Sequence, residues 1–115
     1  MEHQRTIEAY YRAFRERDLE GLRALLTPDF RHVSAFGAWR DRDAMLDAIW
    51  PHVGRVWAAG LEIYGVAPAF MVRYHHEGAP DAPCSAARLA EFIRFDGERI
   101  AEIEVYVGPE TPPHA

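Results

Sequence analysis

A chain of 115 residues has the length of one domain. Its 18 acidic and 13 basic side chains leave a formal charge of −5, which argues against gripping a nucleic-acid backbone or docking on an anionic membrane. With 49% hydrophobic and 27% charged residues it has the profile of a soluble globular protein, and no apolar run approaches the length of a bilayer span. No signal-peptide core follows Met1-Glu2-His3-Gln4-Arg5, so the expected compartment is the cytoplasm. Cys84, the one cysteine, has no partner for an internal disulfide, and its Pro/Ala/Asp-rich surroundings offer no paired metal ligands.

Apolar residues at Ile7, Tyr10, Tyr11 and Phe14 repeat at about 3.6 residues, which predicts a helix over residues 3–17. Asp18 then serves as the N-cap of a short second helix, Leu19–Leu26, closed by Thr27-Pro28. Alternation of Phe30, His32, Ser34 and Phe36 with Arg31, Val33 and Ala35 predicts a strand over Phe30–Phe36. Asp41 or Asp43 caps a third helix with apolar positions Met45, Leu46, Ile49, Trp50, Val53, Val56 and Trp57; Pro51 should kink or split it, and Gly60 ends it. Extended runs follow over Leu61–Val66, Phe70–Glu77, Ser85–Phe95 and Arg99–Val107, the last two joined by the tight-turn signal Asp96-Gly97-Glu98. The order predicts an α+β domain over residues 1–108, in which a curved, mostly antiparallel meander wraps the N-terminal helices. Residues 109–115 read as a flexible tail.

Several phrases carry a likeness to known proteins: Asp18-Leu19-Glu20-Gly21-Leu22-Arg23-Ala24-Leu25-Leu26, Pro28-Asp29-Phe30, Arg40-Asp41-Arg42-Asp43-Ala44, Glu91-Phe92-Ile93-Arg94-Phe95-Asp96-Gly97 and Ile100-Ala101-Glu102-Ile103. Over residues 5–108 the chain resembles the nuclear-transport-factor-2-like superfamily, in particular its SnoaL-like and ketosteroid-isomerase-like branches. The resemblance implies a cone-shaped barrel whose concave sheet face and first helix enclose one pocket. It does not fix an activity, because this scaffold carries isomerases, cyclases, dehydratases, epoxide hydrolases and non-catalytic binders.

On that alignment the pocket takes Phe30, His32, Ser34 and Phe36 from the first strand and Phe70, Val72, Tyr74 and His76 from a later one. Leu89, Glu91, Ile93, Phe95, Ile103, Val105 and Val107 follow from the last two strands. Tyr10, Phe14 and Trp57 point inward from helices, and Trp39 sits at the mouth as a lid. A mainly apolar cavity with a few convergent polar groups is the usual makeup of a small-molecule site, and equally of an ordinary core with satisfied hydrogen bonds.

Glu91 matches the protonated acid of the ketosteroid isomerase oxyanion hole and Tyr10 the phenol that shares it; burial would raise the pKa of Glu91. The other reading pairs an ionised Glu91 with an arginine or with solvent. That enzyme's carboxylate base has Ser34 in its place, and a hydroxyl cannot take a carbon-bound proton unaided, so steroid isomerisation is not expected. His32 on the same face could act as base, or be a core histidine. His76, placed across the cavity from His32, gives with Tyr10 and Tyr74 the residue types of the scytalone-dehydratase-like branch. At the end of its strand it could equally be solvent-exposed. His32, His76 and Glu91 could form a two-histidine, one-carboxylate set, but no motif supports it and no metal or cofactor is expected.

Phosphate loops, nucleophile elbows and dinucleotide fingerprints are absent from the sequence. Arg73 and Arg88 face outward, so the expected ligand is small, largely apolar and uncharged. Two functions remain open: an acid–base isomerase, cyclase or dehydratase using Tyr10, His32, His76 and Glu91, or a non-catalytic binding or scaffold module. Relatives commonly dimerise through the convex face, which here carries Arg88, Phe92, Arg94, Glu102, Glu104 and Tyr106.

Overall fold

The computed structural model of the protein describes residues 2–35, 37–82 and 87–110; Phe36 and Cys84 lie outside the described residues. Helix α1 spans Glu2–Glu16 and buries Ile7, Tyr10, Tyr11 and Ala13 on one face. It stops at Arg17, which takes a left-handed conformation with φ 55°. Asp18 then caps α2, Leu19–Leu25, its Oδ1 accepting from the Gly21 backbone N–H at 2.9 Å. Asp41 does the same for α3, Arg42–Ile49, accepting from Ala44 N–H at 2.8 Å. Each cap satisfies a donor that the first helical turn leaves unbonded.

The strands are β1 (Leu26–Ser34), β2 (Gly37–Trp39), β3 (Val56–Val66), β4 (Ala69–Gly78), β5 (Ala87–Asp96) and β6 (Arg99–Glu110). They form one six-stranded, unclosed curved sheet in the order β2-β1-β6-β5-β4-β3. All neighbours are antiparallel except β1 and β6, which run parallel. Among the described residues no helix is long and apolar enough to cross a membrane.

Two sequence expectations fail here. Residues Val53–Gly60 do not prolong the third helix: a single 3₁₀ turn, Trp50–His52, follows α3, with Pro51 in it, and β3 begins at Val56. Pro51 removes a helical donor, and the β-branched and aromatic residues beyond it find partners on β4, as in the pairs Val56–Gly78 and Trp57–Glu77. Gly60 is not a helix stop but the site of a bulge between Ala59 and Glu62, with φ 65°. A Cβ there would lie 2.7 Å from the His75 ring. The second difference is that β1 starts four residues early and turns at its end into the short β2, rather than running to Phe36. Its register against β6 is irregular between Leu26 and Arg31, the stretch that holds Pro28.

The core lies between the concave sheet face and the helices. Ile7, Leu22, Phe30, Met45, Val72, Ile93, Ile100 and Ile103 are fully buried in it. Burial of each such side chain contributes about 1.5–3 kcal/mol, which makes this layer the main support of the site above it.

Candidate functional site

Strand pairing sets the inner face out in rows. Ile63, Val72, Glu91 and Val105 share one row; Phe70, Ile93, Ile103 and His32 form the next toward one end, and Tyr74, Leu89 and Val107 the next toward the other. Helix α1 lies along β4 in the same direction. His3 packs edge-on against Phe95 at 4.5 Å, Tyr11 against Tyr74 at 5.5 Å, and the Arg15 guanidinium covers the Trp57 ring at 4.4 Å.

Glu91 is 6% exposed, flanked by apolar strands and roofed by α1. Burial is the largest influence on its carboxyl and raises its pKa; hydrogen bonding from Tyr74 and the closeness of Tyr11 pull the other way without cancelling it. The Tyr74 hydroxyl donates to Oε2. Oε1 and the Tyr11 hydroxyl are buried and complete no hydrogen bond of ordinary geometry. Tyr10 is buried within reach of the same charge, and its phenol, like those of Tyr11 and Tyr74, is pushed upward by burial first and by Glu91 second. Three phenols thus surround one carboxyl.

Tyr74 and Tyr11, rather than Tyr10, are the phenols closest in role to partners of Glu91. Tyr11 had been legible only as one member of the apolar stripe. The signal for its placement was its spacing of four residues from Ile7, which puts both on one helix face.

The histidines do not join this group. His32 is 9% exposed between the Phe30 and Trp39 rings, its Nδ1 buried without a hydrogen-bond partner, and burial alone pushes its pKa down to about 4. Glu91 contributes nothing to that shift. His76 is half-buried beyond Tyr74, at 5.7 Å from that ring, with a pKa lowered by burial first and by His75 second. His32 sits in the Phe70 row and His76 three inward positions further along β4, so they do not face each other as expected. Among the described residues no group of three or more His, Cys, Asp and Glu side chains could hold a metal.

Of the remaining predicted lining, Phe70, Val72 and Ile93 are buried in the core, with Ile103 beside them, while Phe14, Trp39 and Val105 pack against it half-buried. Ser34 is half-buried at the end of β1, paired with Gly37. Trp39 is not a free lid: β2 pairs it with His32. Trp57 does not line a helix-walled pocket; it lies at the start of edge strand β3, outside the core cluster, under Arg15, and its Nε1 is buried without an acceptor. Val107 is 61% exposed, because β6 runs past the cover of α1 there. Phe36 lies outside the described residues. An open cleft of about 600 Å³ lies between the first turn of α1 and Gly97-Glu98, away from Glu91.

The comparisons bear on this arrangement. No curated protein matches the chain. Among solved structures it is similar to a nuclear-transport-factor-2-like protein of unknown function from Cytophaga hutchinsonii, with TM-score 0.77 and 8% identity over 93% of this chain and 90% of that one. TerC, crystallised with polyporic acid, has TM-score 0.77 and 18% identity over 93% and 92% of the two chains. A provisional polyketide cyclase from Sinorhizobium meliloti has TM-score 0.72 and 21% identity over 88% and 93%. At such identities these likenesses establish the fold. The family model of the SnoaL-like domain matches residues 7–103, which includes α1, the Glu91 strand and its neighbours. The chain therefore belongs to the SnoaL-like family, on the nuclear-transport-factor-2-like fold.

Proposed function

We propose that the protein binds a small, mainly apolar molecule in its cone and acts on it as an acid–base isomerase, cyclase or dehydratase. The observation that carries this reading is Glu91, a buried carboxyl with Oε2 bonded by Tyr74 and Oε1 unpartnered. Desolvation favours the neutral acid. With Oε2 accepting from Tyr74, the proton belongs on Oε1, where it can be donated to a carbonyl or enolate oxygen of a ligand. A buried polar atom left without a partner calls for such an explanation. Tyr10 and Tyr11 supply further donors beside it. His32, neutral at pH 7 with a pKa of about 4, is a weak base two strands away from β5, and His76 lies nearer the rim; either serves as acceptor only for a ligand that extends toward it.

The similarity to TerC with its polyporic acid and to a provisional polyketide cyclase favours a flat, oxygenated aromatic ligand. Thermal-shift titration with polyporic acid tests the reading. Binding to the native state alone raises stability by about 2.7 kcal/mol at a hundredfold excess over Kd. A shift in the unaltered protein that shrinks in Glu91→Gln supports the acid; equal shifts in both rule it out. We place this activity in the cytoplasm.

The second reading is a dimeric, non-catalytic module, favoured by Ser34 in the position of the ketosteroid-isomerase base and by the convex face. There Arg31 bonds Glu102 and, at 2.8 Å, Glu104, while Arg94 bonds Glu102 at 2.9 Å and Arg88 approaches Glu62 at 3.5 Å. These charges are paired within the chain. Tyr64, Met71 and Tyr106 remain exposed around half-buried Phe92, an apolar patch that a twofold axis could pair with itself. Sedimentation of Met71→Glu against the unaltered protein separates the cases: a change from dimer to monomer supports the interface.

A further inference from the structure

We propose that Tyr11 is the second donor of this site, and that it and Glu91 Oε1 grip one ligand oxygen between helix and sheet, the carbonyl of a flat ketone or quinone; this rests on the reading of Glu91 as the proton-donating acid. The two groups come from different layers. Tyr11 stands on the buried face of α1, four residues after Ile7, and Glu91 on the inner face of β5. They are 7% and 6% exposed, and the Tyr11 hydroxyl and Oε1 are both buried without a completed hydrogen bond. Tyr74 brings them to one place: its ring packs on Tyr11 at 5.5 Å while its hydroxyl donates to Oε2. Tyr10 is arranged differently. Its ring stands edge-on to Tyr11 and Phe14, at 5.1 and 4.9 Å. Glu91 acts on the Tyr10 phenol through charge alone, whereas Tyr11 and Tyr74 also come to the carboxyl at hydrogen-bonding approach. The residue that the family alignment sets beside the acid is thus wall, and its neighbour in sequence takes the place.

Two unpartnered groups facing one seam define what completes them. With Oε2 accepting from Tyr74, the acid's proton sits on Oε1, so the sheet side offers one O–H and the helix side another. A carbonyl oxygen has two lone pairs and no proton, and takes both donors at once. A ligand hydroxyl taking both would bury its own proton without an acceptor, which cancels the gain. The row that holds Glu91 is otherwise apolar, with Ile63, Val72 and Val105, and suits the carbon frame of such a ligand.

The test is titration calorimetry of the full chain with 1-tetralone, with 1-tetralol and with tetralin, the same frame without oxygen. Carbon-13 NMR of 1-tetralone labelled at its carbonyl accompanies it. The unaltered protein is expected to bind the ketone about tenfold more tightly than tetralin, and the alcohol no better than tetralin. Tyr11→Phe should remove most of the ketone's advantage and move the bound carbonyl signal upfield as a hydrogen bond is lost. It should leave the ligand-free melting point unchanged or higher, because it deletes a buried hydroxyl that has no partner. A lowered melting point would mark Tyr11 as structural instead. Tyr10→Phe should leave ketone affinity and carbonyl signal as they were, and Glu91→Gln should weaken the ketone and spare tetralin. If Glu91→Gln acts in this way but Tyr11→Phe changes neither affinity nor signal, or Tyr10→Phe changes them instead, the assignment of Tyr11 is overturned and the Glu91 site stands. An alcohol bound as tightly as the ketone overturns the carbonyl assignment. If none of the three binds, or Glu91→Gln changes no affinity, the Glu91 site fails and the role of Tyr11 falls with it.

Discussion

His32 offers a sharp test of how the cone is packed. The ring is enclosed by Phe30 and Trp39 with no carboxylate to support a charge, and burial holds its pKa at about 4 against an ordinary 6.5. Between those values the unfolded chain takes up a proton that the folded chain refuses. Stability contributed by neutral His32 is therefore present above the ordinary value and is lost as pH falls toward 4. Integrating the proton difference from about pH 7.5 to about pH 4.5 gives a loss of about 2.5 kcal/mol from this one group. Replacing it with a non-titrating residue of similar size, His32→Leu, removes the loss. Urea unfolding of both proteins across that range supplies the assay, because other groups cancel in the difference. The stability of His32→Leu relative to the unaltered protein should rise by about 2.5 kcal/mol on acidification. Parallel curves would mean that the ring is hydrated or paired and that the packing is looser than described.

Glu91 should show the opposite sign. Its folded pKa is raised, so the stability it contributes is present below its ordinary value of 4.5 and is lost as pH climbs through the folded pKa. Glu91→Gln should thus gain on the unaltered protein as pH rises above that value, by about 1.4 kcal/mol for each pH unit over which the native state keeps the proton. Tyr74→Phe removes the donor to Oε2 and should cost about 1–3 kcal/mol, more at pH 8 than at pH 5 because that bond favours the ionised carboxyl. Denaturant midpoints at the two pH values check it. Gly60→Ala forces a Cβ into a left-handed bulge against His75 and should lower stability by about 1–2 kcal/mol, whereas the helix stop expected from sequence would tolerate Asn.

The two capped helix starts and the last hairpin could be read from sequence because their signals are local. Asp18 and Asp41 each precede an apolar repeat, and Asp96-Gly97-Glu98 marks a turn whatever surrounds it. The stretch after Pro51 could not, since Val53, Val56 and Trp57 extend the stripe of α3 while their partners lie some twenty residues later on β4. Strand β2 spans only Gly37–Trp39, too short for any period to show. The same division runs through the site. Glu91 and Tyr74 were placed on the inner face by the family resemblance, and both are buried there. Which phenol bonds the acid depends on how α1 is seated over β4, and that substituted Tyr74 and Tyr11 for Tyr10. The histidines were drawn together by residue type, and the register of β1 against β6 separates them.

The central claim is that burial makes Glu91 keep its proton to higher pH than an ordinary glutamate, ready for a ligand oxygen. Carbon-13 NMR of glutamate side-chain carboxyls, with Glu91 assigned through Glu91→Gln, measures this directly. The account predicts that the Glu91 carboxyl keeps its protonated shift after every exposed glutamate has ionised. A Glu91 that titrates with the others, near an ordinary value of 4.5, would contradict it.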